Sequence, residues 1–402
     1  MNTKRFSVLA TIFGLVLLPV VCAAQINSGS NGSDGAFNPT MNIVINMADH
    51  PNGIYQYTSV NISNGVTVTF IPNANNTPVT WLVQSNVIIN GSLDVSGKDS
   101  SNHGTIYSPG GLGGPGGFRG GNGGPDGSAG QGPGGGDIGN YMGISGSYGG
   151  LGYQATNSGL IYGNQYLIPI IGGSGGGGAT TQYGGMWGAG GGGGGGAIMI
   201  VATSQIAISG SVIANGGAPF GYYSGNFVQG GGGSGGAIRI IGSQIIGTGS
   251  ISANGGTGPY FNNSGGSGRV RLDTYDNLFS GAISGLHTIG SQFTIIPTGG
   301  QLPQLTVTSV GGVAVSASPT GLLSTPDAVL SAQQNNPVPV VVSCANLPLN
   351  TKITVSVKPA NGAAVTATGY NTTGTLASST ATISIVIPRG GGLIYATAAT
   401  GN

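Results

Sequence analysis

Residues 190–217 read Gly-Gly-Gly-Gly-Gly-Gly-Gly-Ala-Ile-Met-Ile-Val-Ala-Thr-Ser-Gln-Ile-Ala-Ile-Ser-Gly-Ser-Val-Ile-Ala-Asn-Gly-Gly, and the pattern returns at 230–256. Gly-Gly-Ala-Ile at 195–198 matches 235–238, and Ala-Asn-Gly-Gly at 214–217 matches 253–256. Units repeated at such a spacing bury their apolar faces by stacking on one another.

Working outward, residues 86–97 and 244–255 repeat the spacing of 205–216. Val87, Ile89, Gly91, Leu93 and Val95 fall opposite Ile206, Ile208, Gly210, Val212 and Ala214, and opposite Ile245, Gly247, Gly249, Ile251 and Ala253. Period-two apolar residues on either side of a Gly-Ser corner describe a strand, a bend and a second strand. Ile198/Ile200, Ile238/Ile240 and Val270/Leu272 form equivalent aliphatic pairs, whereas the residue between each pair is Met199, Arg239 or Arg271. That contrast separates an inner face from an outer one. The alternating stretches at 41–48, 60–70 and 79–83 extend the pattern towards the N-terminus, with Asn64-Gly65 as a turn. The economical solution is an all-β parallel β-helix, or β-solenoid, over residues 41–300.

Inside it lies a glycine-rich insertion, 104–196, in which 41 of 93 residues are glycine and Arg119, Asp126 and Asp137 are the charged ones. Glycine loses the most entropy on ordering, which favours a flexible excursion. Its dense aromatics and the strand-like block Tyr166–Ile171 favour a partly ordered loop layer of extended polyglycine segments instead. Beyond residue 301 the composition changes. The last 100 residues hold ten glycines and about seven short alternating stretches, at 305–310, 328–332, 338–343, 353–358, 364–368, 381–387 and 393–397. That spacing fits an immunoglobulin-like β-sandwich over 301–402.

Residues 1–24 read as a Sec-type secretory signal peptide: Lys4 and Arg5, an apolar run, then Cys22-Ala23-Ala24. Residues 25–40, rich in Asn, Ser and Gly, read as a flexible leader. Cleavage leaves Cys344 as the remaining cysteine, which excludes an intramolecular disulfide. Charged residues make up 5%, against about 25% in ordinary globular domains, and glutamate is absent. The mature chain keeps 8 Lys/Arg (10 less Lys4 and Arg5) against 9 Asp, a net charge of 8 − 9 = −1. No basic patch suits nucleic acid, and no later stretch suits a stable membrane span.

With Gly-Gly-Gly-Ser-Gly-Gly-Ala-Ile-Arg-Ile at 231–240 and the Ala-Asn-Gly-Gly blocks, the chain resembles secreted bacterial glycine-rich parallel β-helix proteins. These are similar to the pectate-lyase-like superfold, which also includes adhesins. The glycine tracts also resemble phage tail adhesins with polyglycine sandwiches. The resemblance covers roughly residues 41–275 and implies a fold and an extracellular location. No enzyme motif of that superfamily is legible, so it transfers no catalytic residue.

Two readings of function follow. The first is a secreted or cell-surface structural and adhesive protein, contacting extracellular polysaccharide or cell-surface components through Tyr141, Tyr148, Tyr153, Tyr162 and Trp187. Such rings offer large contact area at small entropic cost. The second is a polysaccharide lyase or glycoside hydrolase using Asp94, Lys98, Asp99 and His103, with calcium as the cofactor of a lyase. Asp94 aligns with Ile213 and Ser252 in the later copies, so no acid ladder builds along the stack. Arg269, Arg271, Asp273 and Asp276 read as a charged outer ladder that discourages edge pairing at the end of the stack. The histidines and cysteine lack zinc spacing, and no Gly-Lys-Ser/Thr follows the glycine runs.

Overall fold

A computed structural model describes residues 26–101, 108–124, 127–155, 161–180, 188–223, 227–260, 263–293, 303–316, 319, 325–359 and 363–398, with backbone alone at 222, 223 and 227. Those residues are all-β apart from one 3-10 turn, Met47–Asp49. No helix among them is long and apolar enough to cross a membrane.

Two parallel sheets occupy residues 35–290. The first stacks Gly35–Phe37, Ile54–Ile62, the pair Val79–Val83 and Val87–Ile89, the pair Ala197–Ala202 and Gln205–Ile208, Ala237–Gly247, Arg269–Phe279 and Leu286–Gly290. The second stacks Ile43–Asn46, Thr67–Ile71, Ser92–Asp94, Ser211–Ile213, Ser250–Ser252 and Ala282–Ser284. Levels follow chain order in both sheets. Pairings in the first sheet form a closed ring because unbroken strands at 54–62 and 237–247 each pair with both halves of a split level.

Register follows the repeat. Val87, Ile206 and Ile245 share a column, as do Leu93, Val212 and Ile251. These aliphatic columns meet between the sheets and are fully buried, each side chain contributing about 1.5–3 kcal/mol. At the N-terminal end the core closes with aromatics: Trp81 lies 5.5 Å from Phe37 and 5.6 Å from Tyr57. Gly91 forms its corner because a Cβ there would lie 2.2 Å from the Val66 carbonyl oxygen.

Three expectations need correction. The column Met199–Arg239–Arg271 points away from the main core yet is covered. Ile26, Ile170 and Phe293 pack against Met199, Val201 and Ile241. Arg239 and Arg271 reach the buried Asp273 at 3.3 and 2.7 Å, since buried charges need partners. The leader is therefore docked from Ile26 onward, and Gly35–Phe37 pairs with the next level. The block at 166–171 forms turns rather than a strand. Asn164 accepts from the Tyr166 and Ile168 amides and donates to the Ile168 carbonyl, bending the chain locally.

The C-terminal part is a pair of antiparallel sheets. One orders Val313–Ala314, Gln304–Val310, Val338–Ala345, Ser379–Ile385 and Thr373–Gly374; the other orders Val365–Tyr370, Lys352–Pro359 and Gly392–Ala398. Val340, Val342, Cys344, Ile353, Val355 and Ile383 fill the space between them. Residues 328–332 form no strand, although Ala328 and Leu330 still pack on this core. The sandwich meets the glycine-rich region through Lys358 Nζ, 2.8 Å from Asp137, and through Tyr395, whose ring stands edge-on to Phe118. Burial lowers the Lys358 pKa against the pull of Asp137.

Candidate functional site

The glycine runs take neither helix nor strand geometry, and they are buried. Residues 191–196 show why. Amides of Gly191 and Gly194 donate to the carbonyls of Gly121 and Phe118, those of Gly192 and Gly195 to Gly231 and Ser234, and those of Gly193 and Gly196 to Lys98 and Val95. Their carbonyls accept with the same period of three: from Gly111 and Gly114, from Gly176 and Gly173, and from Gly217 and Ala237. A repeat of three with bonds directed outward is the polyproline-II-type helix. This one is surrounded by neighbouring segments in six directions.

Residues 172–178 and 230–236 are surrounded in the same manner, so the region is a lattice of extended glycine helices. Backbones replace side chains as its packing units. A Cβ at Gly192, Gly193 or Gly194 would lie 1.8, 2.1 or 1.9 Å from a neighbouring carbonyl oxygen. Where the lattice admits a side chain, that side chain substitutes for backbone bonding. Buried Asn263 donates to the Gly143 and Gly230 carbonyls, and Ser234 Oγ accepts from the Ser174 amide.

Each excursion leaves the second sheet, runs out through the lattice and returns to the first sheet. Residues 214–217 lead out and 230–236 lead back, then 253–256 lead out and 263–268 lead back. Turns therefore collect at the end of the lattice far from the sheets. There, Gly221–Tyr223 pairs with Phe227–Gln229 as a hairpin. Tyr260 lies over Gly221, its amide bound to Gln229 Oε1 at 2.8 Å, and its ring remains 48% exposed. Half-buried Tyr141 and Phe220 close this end over Ala179, Ala189 and Val228, and the Tyr141 backbone bonds to Thr180 and Gln229. Exposed Asn140 meets Thr180 beside them.

The sequence-predicted aromatics divide. Tyr153 is 45% exposed on the lattice flank, and its amide is held by the Ser264 carbonyl. Tyr148 is fully buried, 4.6 Å from the Tyr162 ring and under the Arg269 guanidinium, and its hydroxyl lacks a partner. It has no surface to offer a ligand. Tyr162 donates to the Gly172 carbonyl and meets Ser174, which makes it a lattice pin. Burial raises the pKa of both phenols, and Arg269 opposes that rise at Tyr148. Tyr141 stands at the far turns, and Trp187 lies outside the described residues. Sequence reasoning missed Asn140, Phe220 and Tyr260. The available signal was position: each sits where a glycine run turns back.

The candidate catalytic residues are placed as structural ties. Asp94 Oδ1 accepts from the Ser96 amide, and Asp99 Oδ1 accepts from the Ala218 amide at 2.7 Å. The Lys98 side chain is exposed, while its backbone bonds to Leu112 and Gly193. His103 lies outside the described residues. No cluster of three or more His, Cys, Asp or Glu suited to a metal occurs among the described residues. A separate cleft of about 1090 Å³ lies between lattice and sandwich, lined by Phe118, Gln131, Ile170, Leu305, Leu330 and Tyr395 among others. None of the sequence-predicted site residues that are described lines it. Protein-family models, curated proteins and solved structures give no match to this chain.

Proposed function

We propose that this chain is a secreted or cell-surface structural and adhesive protein. On this reading, the stacked sheets are the rungs of a parallel β-helix. The glycine lattice is a rigid bracket on one corner of it, and the C-terminal sandwich is an immunoglobulin-like spacer. The observation that carries the reading is the gathering of aromatic and amide-bearing turns (Asn140, Tyr141, Phe220 and Tyr260) at the far end of a backbone-bonded lattice. Rings held on rigid supports lose little entropy on contact, which suits stacking against sugar faces or other neutral polar surfaces. The polysaccharide is the partner class this surface fits, through many weak contacts.

The test is a panel of pectin, alginate and glucan, with and without calcium. The expected result is binding without cleavage. The double variant Asn140→Ala/Tyr260→Ala, both exposed at the far end, should bind about tenfold more weakly while melting at the same temperature. Reproducible cleavage, abolished by Asp94→Ala or Asp99→Ala, would overturn this reading in favour of a lyase or hydrolase.

A further inference from the structure

The C-terminal sandwich is closed along one side and open along the other. On its central strands, Val340, Val342, Val355, Val357 and Ile383 are buried. On the closed side, Ile383 packs directly against Gly369 of the strand Val365–Tyr370, leaving no room there for a Cβ. On the open side, Gln304–Val310 and Gly392–Ala398, one strand from each sheet, flank the cleft of about 1090 Å³. Leu305, Val307, Ile394 and Ala396 on these two strands pack on the core, yet they are only half-buried and line the cleft. The core residues Val310 and Val338 are reached from it too. Apolar surface that the other strands hide is left uncovered here.

One wall of that cleft is also a free strand edge. Gly392–Ala398 pairs with Lys352–Pro359 on one side alone, and its backbone bonds to no other segment among the described residues. In an antiparallel strand about half of the amides and carbonyls then point away from the partner. This edge is seven residues long and contains no Lys, Arg, Asp or Pro, the residues that ordinarily block edge pairing. The edges of the facing sheet are by contrast stubs of two residues, Val313–Ala314 and Thr373–Gly374. Val313–Ala314 already occupies the end of Gln304–Val310.

We infer that the cleft binds an extended peptide segment of a partner protein, which adds to Gly392–Ala398 as a further strand. The occupant is a polypeptide because a row of unpaired amides and carbonyls is matched by another extended backbone. Its side chains alternate, so one face covers Leu305, Val307, Ile394 and Ala396, which calls for apolar residues at every second position. It is uncharged, because the described lining holds one acid, Asp327, and one base, Arg389. It is a single segment because the opposite wall is the lattice, at Phe118 and Gln131, which keeps out the edge of a folded neighbour. This role goes beyond that of a spacer and stands whether or not the far-end turns bind sugar.

The test uses the full chain and a labelled synthetic peptide of about nine residues, alternating Thr with Val or Ile. Its counterpart with Pro at alternate polar positions cannot supply the backbone donors. Binding is read by fluorescence anisotropy, and its place by amide hydrogen exchange. The expected result is that the first peptide binds and slows exchange within 392–398 by about tenfold or more, while the Pro peptide binds at least about tenfold more weakly. Ile394→Lys, which puts a charge on the cleft wall, should weaken binding by about tenfold or more. The exchange measurement needs only the parent chain, so the inference stays open to refutation if that variant folds poorly. Failure of the first peptide to bind overturns the inference. So does equal binding of the Pro peptide, protection that falls on Val365–Tyr370 instead, or protection of 392–398 by a linear glucan but not by the peptide.

Discussion

The stacked sheets and the glycine lattice are both buried, but by opposite means. In the sheets, Val87, Ile206 and Ile245 fill the interior with side chains while the backbone pairs at the edges of the core. In the lattice, the backbone of 191–196 is the interior, bonded in every direction, and a single methyl would collide with a neighbour. The first tolerates a smaller residue better than a wrong one. The second tolerates nothing larger than hydrogen at its centre. Burial of apolar area drives the first. The second relies on satisfying each amide and carbonyl of a chain that pays heavily in conformational entropy.

The sharpest way to break this comparison is Gly194→Val. Its Cβ would lie 1.9 Å from the Gly173 carbonyl oxygen and 2.3 Å from the Gly173 carbonyl carbon, neither of which can rotate away. The expected loss is at least about 4 kcal/mol in urea unfolding, the range reserved for a core that cannot relax. A change below about 1 kcal/mol would show that the lattice is not close-packed.

Ile206→Ala removes a fully buried side chain from the middle of an aliphatic column. The expected cost is about 2–5 kcal/mol, according to how far neighbours collapse into the cavity. If the two regions unfold as one unit, this variant and Gly194→Val shift the same single transition. If they unfold separately, each shifts a different one.

How much of this was legible follows from where each pattern is written. The sheet columns were readable because aliphatic side chains repeat with period two, and the observed register Ile198–Ile238–Val270 is the one the repeats align. The lattice carries its period of three in hydrogen-bond directions, and a run of glycines has no side chains in which to display it. Its ordered state therefore could not be separated from a flexible excursion by composition. Burial of Met199, Arg239 and Arg271 was hidden because their neighbours are distant in sequence: Ile26, Ile170 and Phe293 about Met199, Gln292 at Arg239, and Tyr166 and Thr288 at Arg271. Among the site residues, Tyr148 and Tyr153 look alike in sequence, and only their depth in the lattice separates a packing ring from a contact ring.

Both regions hold buried phenols, which gives a comparison by pH. Burial, then Asp49 and Asp34, push the Tyr55 pKa up to about 12, and burial raises Tyr57, Tyr148, Tyr162 and Tyr395 as well. These groups stay protonated when folded but ionise near 10.0 when unfolded. Their contribution is complete below that pH and is lost as pH climbs through the folded values. Between pH 10 and the folded pKa, each should lower stability by about 1.4 kcal/mol per pH unit. Unfolding followed from pH 9 to 11 should show a slope that Tyr148→Phe reduces by about one proton. At neutral pH that variant should be within about 1 kcal/mol of the parent, since the lost hydroxyl has no partner.

The smallest effect separates the two modes of packing most directly. Lys98 has an exposed side chain, but its amide donates to the Leu112 carbonyl and its carbonyl accepts from Gly193. If the lattice is held by backbone, Lys98→Ala should change stability by no more than about 0.5 kcal/mol. Lys98→Pro deletes that donor and sets the ring Cδ in the 2.7 Å gap to the Leu112 oxygen, so the two segments must part. It should therefore cost about 3 kcal/mol or more. In a wall of side chains, truncating the side chain would dominate. Here, blocking one backbone amide should outweigh removing a whole charged side chain, and equal effects from the two substitutions would contradict the backbone-built lattice.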